Sequence, residues 1–126
     1  MKKNLFKQIA GISFLVTLFL SFQSFVFKND ESKTVTGEIL DMKCYTESGA
    51  HGDKHKECAA KCIKGGGQMG ILAEDGKVYL LVESDKNSDA YNEAKKFAGE
   101  NVILTGTVSE KDGKEALIVT EVKAKV

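Results

Sequence analysis

The sequence has 126 residues, a length that allows one small domain with a single hydrophobic core. Hydrophobic residues make up 42% of the chain and charged residues 29%, which is typical of globular proteins and not of disordered chains. All 18 basic residues are lysines, and from Lys28 onward 15 lysines and 18 acids give a net charge of −3. Phosphate contacts require clustered cations and base stacking requires aromatic side chains, so an acidic domain without Arg or Trp argues against nucleic acid as a partner.

The first 27 residues have the order of an export signal, with a basic start, an apolar run and a mixed end. Lys2, Lys3 and Lys7 precede an almost unbroken apolar run over residues 9–20. Two interpretations stay open: a signal peptide that is cleaved, or a transmembrane helix over residues 9–27 that is kept as a membrane anchor. Both place residues 28–126 outside the cytoplasm, as a periplasmic, secreted or surface-facing domain, because the basic start stays inside.

Five segments after a linker over residues 28–33 carry strand patterns. Residues 34–41 and 101–109 alternate between apolar and polar side chains, whereas 70–73, 77–83 and 115–126 are rich in apolar residues. An Asp-Gly pair lies between the second and third segments and another between the fourth and fifth. Each pair predicts a β-hairpin, because Gly tolerates the positive φ of such turns.

Two short helices are expected to interrupt the strands. One covers residues 54–64, and the other covers residues 88–98, with Ser88 as N-cap and Gly99 as the stop. The order predicts a mainly β domain over residues 34–126: a five-stranded OB-like barrel with a helix between the third and fourth strands. Gly37 and Gly106 would relieve crowding where the strands bend sharply. An open antiparallel sheet with two helices packed on it is the alternative.

All three cysteines and both histidines lie between positions 44 and 62. If residues 54–64 are helical, His55, Cys58 and Cys62 follow at i, i+3 and i+7 and share one face. Cys44, expected at the end of the first strand, would close over that face, and His51 is expected on a loop.

This pattern resembles a group of small exported bacterial proteins of uncharacterised function. In them a Cys follows the first strand and a His-x-x-Cys-Ala-x-x-Cys helix follows soon after, as do Cys44 and His55-Lys56-Glu57-Cys58-Ala59-Ala60-Lys61-Cys62 here. Residues 106–108, Gly-Thr-Val, also fit the group. The resemblance implies export and an OB-like barrel, and it implies no catalytic residue.

The leading hypothesis is a binding protein in which Cys44, His55, Cys58 and Cys62 hold either a soft metal ion or a stabilising disulfide. One imidazole with three thiolates is a recognised zinc ligand set, and soft sulfur donors also select Cu(I). We therefore expect Cys44, His55, Cys58 and Cys62 to bind zinc or copper.

Two interpretations besides a metal site stay open. Outside the cytoplasm cysteines tend to pair, and Cys44 would pair with Cys58 or Cys62, because two cysteines within one helix form a disulfide poorly. A thiol-based redox enzyme or sensor would use Cys58 or Cys62 with His55 as base, although the sequence has no Cys-x-x-Cys motif. The partner is accordingly a metal ion, or a small ligand or protein that the sequence does not identify.

Overall fold

The computed structural model describes residues 31–126 of the chain. The predicted export segment over residues 1–27 and the first half of the predicted linker, residues 28–30, lie outside the described residues. Five strands and three short α-helices follow in the order β1 (Ser32–Asp41), α1 (Met42–Ser48), α2 (Lys56–Lys64), β2 (Met69–Ala73), β3 (Val78–Val82), α3 (Asp89–Ala94), β4 (Asn101–Lys111) and β5 (Lys114–Ala124). Within this part of the chain, no helix has the length and apolar character that a membrane crossing requires.

The strands form one sheet in which each strand pairs with two neighbours, closing in the order β1-β2-β3-β5-β4. β1 pairs with β2 through residues 37–41 and with β4 through residues 32–38. Both pairings are antiparallel. β3 and β5 form the parallel pair. The prediction of a mainly β domain with five strands is confirmed.

Both predicted hairpins are present. The turn between β2 and β3 contains Gly76 at φ 87°, and the turn between β4 and β5 contains Asp112 and Gly113 at φ 52° and 74°. These positive values explain why Asp-Gly occurs at both turns. The hairpin turns set the local register of the strands, while the pairings of β1 with β4 and of β3 with β5 connect segments that are far apart in sequence.

The core lies inside the closed sheet and under the helices. Its aliphatic side chains come from all five strands: Val35, Ile39, Ile71, Leu81, Val102, Leu104, Leu117 and Val119. Helix α2 adds Ile63, and Ala94 and Ala98 come from α3 and the segment after it. The core therefore fixes the position of α2 relative to β1. Helix α2 carries Cys58 and Cys62, and β1 leads directly into α1, which carries Cys44.

The structure corrects the predicted helices in three respects. Three α-helices are present instead of two, because Met42–Ser48 is helical. Helix α2 begins at Lys56, after a 3-10 turn over Asp53–His55. The second predicted helix, over residues 88–98, consists of α3 and a following 3-10 turn over Lys95–Phe97. The Ser88 side chain makes no capping hydrogen bond, and the preceding Asn87 Oδ1 accepts one from the Asp89 N–H at 2.9 Å.

Gly37 lies where β1 and β2 come closest. A Cβ at this position would lie 2.1 Å from the Leu72 carbonyl oxygen, which is backbone and cannot move aside independently of the sheet. Gly106 is similar, since its Cβ would lie 2.6 Å from the Ile118 carbonyl oxygen. The predicted role of these two glycines in relieving strand crowding agrees with this geometry.

We predict that Gly37→Ala lowers the free energy of unfolding by about 1–3 kcal/mol or more, because the added methyl forces the backbones of β1 and β2 apart. Urea unfolding of the reduced, metal-free protein measures this. Gly65→Ala is the matched control: its φ is −78°, and its Cβ would lie at an ordinary 3.4 Å from the Lys61 carbonyl oxygen. The control should be within about 1 kcal/mol of wild type. Equal stability of the two variants would contradict the close approach.

Candidate metal centre

Three cysteine sulfurs come together at one end of β1. The Sγ atoms of Cys44, Cys58 and Cys62 all lie within 4.8 Å of one another, and all three cysteines are free. Cys44 and Cys62 are half-buried, whereas Cys58 is exposed. The three sulfurs thus form a compact donor cluster at the surface of the domain.

Cys44 is brought to this cluster by helix α1, which corrects its predicted place at the end of the first strand. Asp41, the last residue of β1, caps the helix, and its Oδ2 accepts a hydrogen bond of 3.0 Å from the Cys44 N–H. Gly49 ends the helix in the left-handed conformation, with φ 68°. A capping Asp and a terminal Gly enclose a single short helix, and Cys44 lies in its first turn.

Cys58 and Cys62 are brought to the cluster by helix α2. They are four residues apart, so their side chains lie one above the other on the same face. Ala59 and Ile63, displaced by one residue, are buried against the rest of the domain. An ion pair between Lys56 and Glu100 ties the start of α2 to the segment before β4. The predicted common face of His55, Cys58 and Cys62 is confirmed for the two cysteines, whereas His55 lies before α2, in the 3-10 turn.

The distance between the Cys44 and Cys58 sulfurs distinguishes a disulfide bond from two thiolates on a shared metal ion. Their Sγ atoms are 3.9 Å apart, far longer than a disulfide bond of about 2.05 Å. In a tetrahedral site with metal–sulfur bonds of about 2.3 Å, neighbouring sulfurs are about 3.8 Å apart. The observed separation therefore fits two thiolates on a common metal ion, and no disulfide is at bonding distance within the described residues.

The two histidines lie near the cluster but in different surroundings. His55, the predicted fourth ligand, ends the 3-10 turn before α2 and lines a cavity beside Cys44 and Cys58. Within the described residues it does not belong to the group of mutually close donor atoms, which contains only the three cysteines. His51 lies on the loop predicted for it, with Nδ1 3.7 Å from Glu38 Oε2. A fourth ligand from His55 stays a prediction.

Asp41 determines the electrostatics of the site. It is only 2% exposed, and its Oδ1 has no hydrogen-bond partner in the described part of the chain. Hydrogen bonding of the Cys44 thiol to this carboxylate, with a second contribution from the Cys58 thiol, raises the pKa of Cys44 to about 12. Without a cation, Cys44 is therefore a protonated thiol at neutral pH. A bound cation would offset the negative charge that disfavours its thiolate.

Asp41 also lies against the turn that follows α2. A Cβ on Gly67 would lie 2.7 Å from the Cys62 carbonyl oxygen and 2.8 Å from Asp41 Oδ1. The Gly67 N–H donates to that Cys62 carbonyl at 2.8 Å. One carboxylate thus touches both the helix that carries Cys44 and the end of the helix that carries Cys62.

The sequence prediction missed Asp41 and Glu38 as residues of the site. The signal for Asp41 was present, because Asp41 and Gly49 have the spacing of an N-cap and a C-terminal Gly around one short helix. Glu38 had no such signal. Glu38 contributes to the site by holding a loop that lies 14 residues further along the chain. Its Oε1 accepts a 2.6 Å hydrogen bond from the Gly52 N–H in that loop.

Comparisons with known proteins identify no relative. No family model matches the chain, and neither the curated proteins nor the solved structures contain a match. The resemblance to small exported bacterial proteins therefore stays a prediction from the sequence, and the function has to be argued from the geometry of the site.

We predict that Asp41→Asn lowers the pKa of Cys44 by about 1–3, because the amide accepts a weaker hydrogen bond from the thiol than the carboxylate does and carries no negative charge. The amide oxygen can still cap α1. The pH dependence of Cys44 alkylation measures this in a background that carries Cys58→Ser and Cys62→Ser. Alkylation at a fixed neutral pH should become faster. Glu110→Gln, which removes an exposed carboxylate on β4, should leave the profile unchanged. An unshifted profile for Asp41→Asn would show that the carboxylate does not control this thiol.

Proposed function

We propose that this protein binds a soft metal ion, zinc or copper, through Cys44, Cys58 and Cys62, and that it does so outside the cytoplasm. The observation that carries the proposal is the cluster of three free sulfurs within 4.8 Å of one another. Thiolates prefer Zn²⁺ and Cu(I) over hard cations such as Mg²⁺ and Ca²⁺.

The way in which the sulfurs are held supports a preorganised site. Cys58 and Cys62 lie on one helix whose other face is anchored in the core by Ile63, so their separation is set before any ion binds. Cys44 comes from a separate helix that Asp41 fixes to the end of β1. A site assembled on anchored elements loses little conformational freedom on binding.

Neither methionine near the site offers its sulfur to the cluster. Met69 is fully buried in the core. Met42 directs its Sδ toward Gly70, where an added Cβ would lie only 2.2 Å from the sulfur. This arrangement limits the donor set to thiolates, with His55 as the predicted additional ligand.

We further infer that the scaffold is an OB-like barrel and that residues 1–27 export it. The closed strand order, the parallel pairing of β3 with β5 and helix α3 between β3 and β4 support an OB-like assignment. Export is supported by the basic start and the apolar run of the sequence. In this proposal the domain presents the thiol cluster to the environment beyond the inner membrane.

Metal content is the direct test. The full chain, purified without chelator and without added reductant, should contain about one zinc or copper ion per molecule by mass spectrometry. After removal of the metal, all three cysteines should react with an alkylating reagent. Cys44→Ser, Cys58→Ser and Cys62→Ser should each weaken metal binding by at least about 100-fold, because removing a direct ligand costs more than the 10–100-fold lost with an outer-shell partner. Met42→Leu is the matched sulfur-removing control and should bind as wild type does. A metal-free protein with only one reactive thiol would instead support a disulfide.

Metal should also stabilise the fold. A ligand that binds only the folded state at 100 times its Kd adds about 2.7 kcal/mol, so the melting temperature should rise when zinc is added to the reduced protein. Cys44→Ser should abolish the rise, because Ser is a poor soft-metal ligand, and Met42→Leu should keep it. Calorimetry or thermal scanning by circular dichroism measures both. A rise of equal size in Cys44→Ser would contradict the involvement of Cys44.

A further inference from the structure

A cavity of about 180 Å³ lies beside the thiol cluster, and only two of the three cysteines line it. Cys44 and Cys58 contribute to its wall, together with the end of β1, whereas Cys62 does not. An ion held by the three sulfurs would therefore have the cavity on one side and Cys62 on the other.

Another part of the cavity wall, formed by Glu38 and His51, is held in place. Glu38 accepts a hydrogen bond from the Gly52 N–H at 2.6 Å and lies 3.7 Å from His51 Nδ1. The His51 ring also makes an edge contact with Tyr45, with ring centroids 6.3 Å apart. These contacts fix the loop over residues 49–52 above the cavity, so that its polar groups face a defined space.

The three sulfurs leave one position of a four-coordinate ion unfilled unless His55, the predicted additional ligand, occupies it. Structural zinc sites hold four protein ligands, whereas sites that exchange or activate a ligand hold three and keep one position open. In the described residues the group of mutually close donors contains three sulfurs and no further carboxylate or imidazole. An ion held by the three sulfurs would border the cavity, because Cys44 and Cys58 line it.

We propose that the cavity supplies the fourth ligand of the metal in the form of a small zwitterionic thiol. This inference rests on the proposed metal site. The volume lies below the roughly 300–1,000 Å³ of ordinary ligand pockets, so the ligand is small. Imidazoles of His51 and His55 and carboxylates of Glu38 and Glu47 line the cavity. They match a ligand that carries a carboxylate and an ammonium group, while its thiolate binds the soft metal.

The binding step is an exchange of ligands without oxidation or reduction. The thiol loses its proton to solvent, its sulfur forms a bond to the metal, and the water in the fourth position leaves. The three protein sulfurs stay bound throughout. The ligand is bound by both the metal and the cavity wall, so the metal-free protein should bind it poorly.

The test uses the full chain loaded with Co²⁺, a spectroscopic substitute for Zn²⁺, and L-cysteine as the probe. The near-ultraviolet charge-transfer band reports the protein thiolates, and the visible ligand-field bands report the fourth ligand. Adding L-cysteine should change the visible bands saturably while cobalt stays with the protein on gel filtration. L-Serine, which lacks the thiol, should change nothing. 2-Mercaptoethanol, which lacks the charges, should bind at least tenfold more weakly.

A cavity-filling variant with a matched control ties the response to the cavity. Ala50 lines the cavity, whereas Ala60 is exposed on α2 and does not. Ala50→Leu should weaken L-cysteine binding at least tenfold and leave the charge-transfer band intact. Ala60→Leu should respond as wild type does. Equal binding of L-cysteine by the two variants would overturn the assignment to the cavity.

His55 provides the decisive alternative. If wild type does not respond to L-cysteine but His55→Ala does, His55 fills the fourth position and the site is closed, which overturns the proposal. A lack of response in both proteins overturns it as well. If no charge-transfer band forms before the thiol is added, the proposed metal site itself is wrong, so failure of that proposal is recognised separately.

Discussion

The site depends on the carboxylate of Asp41 at the point where β1 ends. One oxygen of this buried group caps helix α1 through the N–H of Cys44, and the other lies against the turn that follows α2. A buried acid with an unpaired oxygen is costly, and it also raises the pKa of the thiol next to it. A cation held by the three sulfurs would reduce both costs. The buried carboxylate of Asp41 disfavours the metal-free site, and a bound metal would offset its negative charge.

The closed sheet makes this arrangement possible by fixing where its elements end. Asp41 is held in the sheet through its pairing with Met69 of β2, and α2 is anchored through Ile63 in the core. Sulfurs from two successive helices can then meet without a disulfide. The exposed Cys58 and the cavity beside it leave the cluster open to small molecules, which distinguishes it from a structural metal site enclosed in a core.

Much of the fold could be predicted from the sequence, because alternation, Asp-Gly turns and internal glycines are local signals. The common face of Cys58 and Cys62 followed from helical spacing in the same way. Helix α1 was missed because it buries no residue and so has no apolar period, and only its caps, Asp41 and Gly49, indicated it. The contacts of Glu38 with the loop over residues 49–52 depend on the folded chain, and no local pattern encodes them.

The most direct test of the account is the number of sulfur atoms around the bound metal, measured by X-ray absorption spectroscopy on the zinc- or copper-loaded full chain. The account predicts three sulfur neighbours at about 2.3 Å, and loss of one neighbour in each of the three Cys→Ser variants. A first shell of oxygen and nitrogen atoms alone, or one that keeps its sulfur count when Cys44 is replaced, would contradict a metal centre built from these three residues.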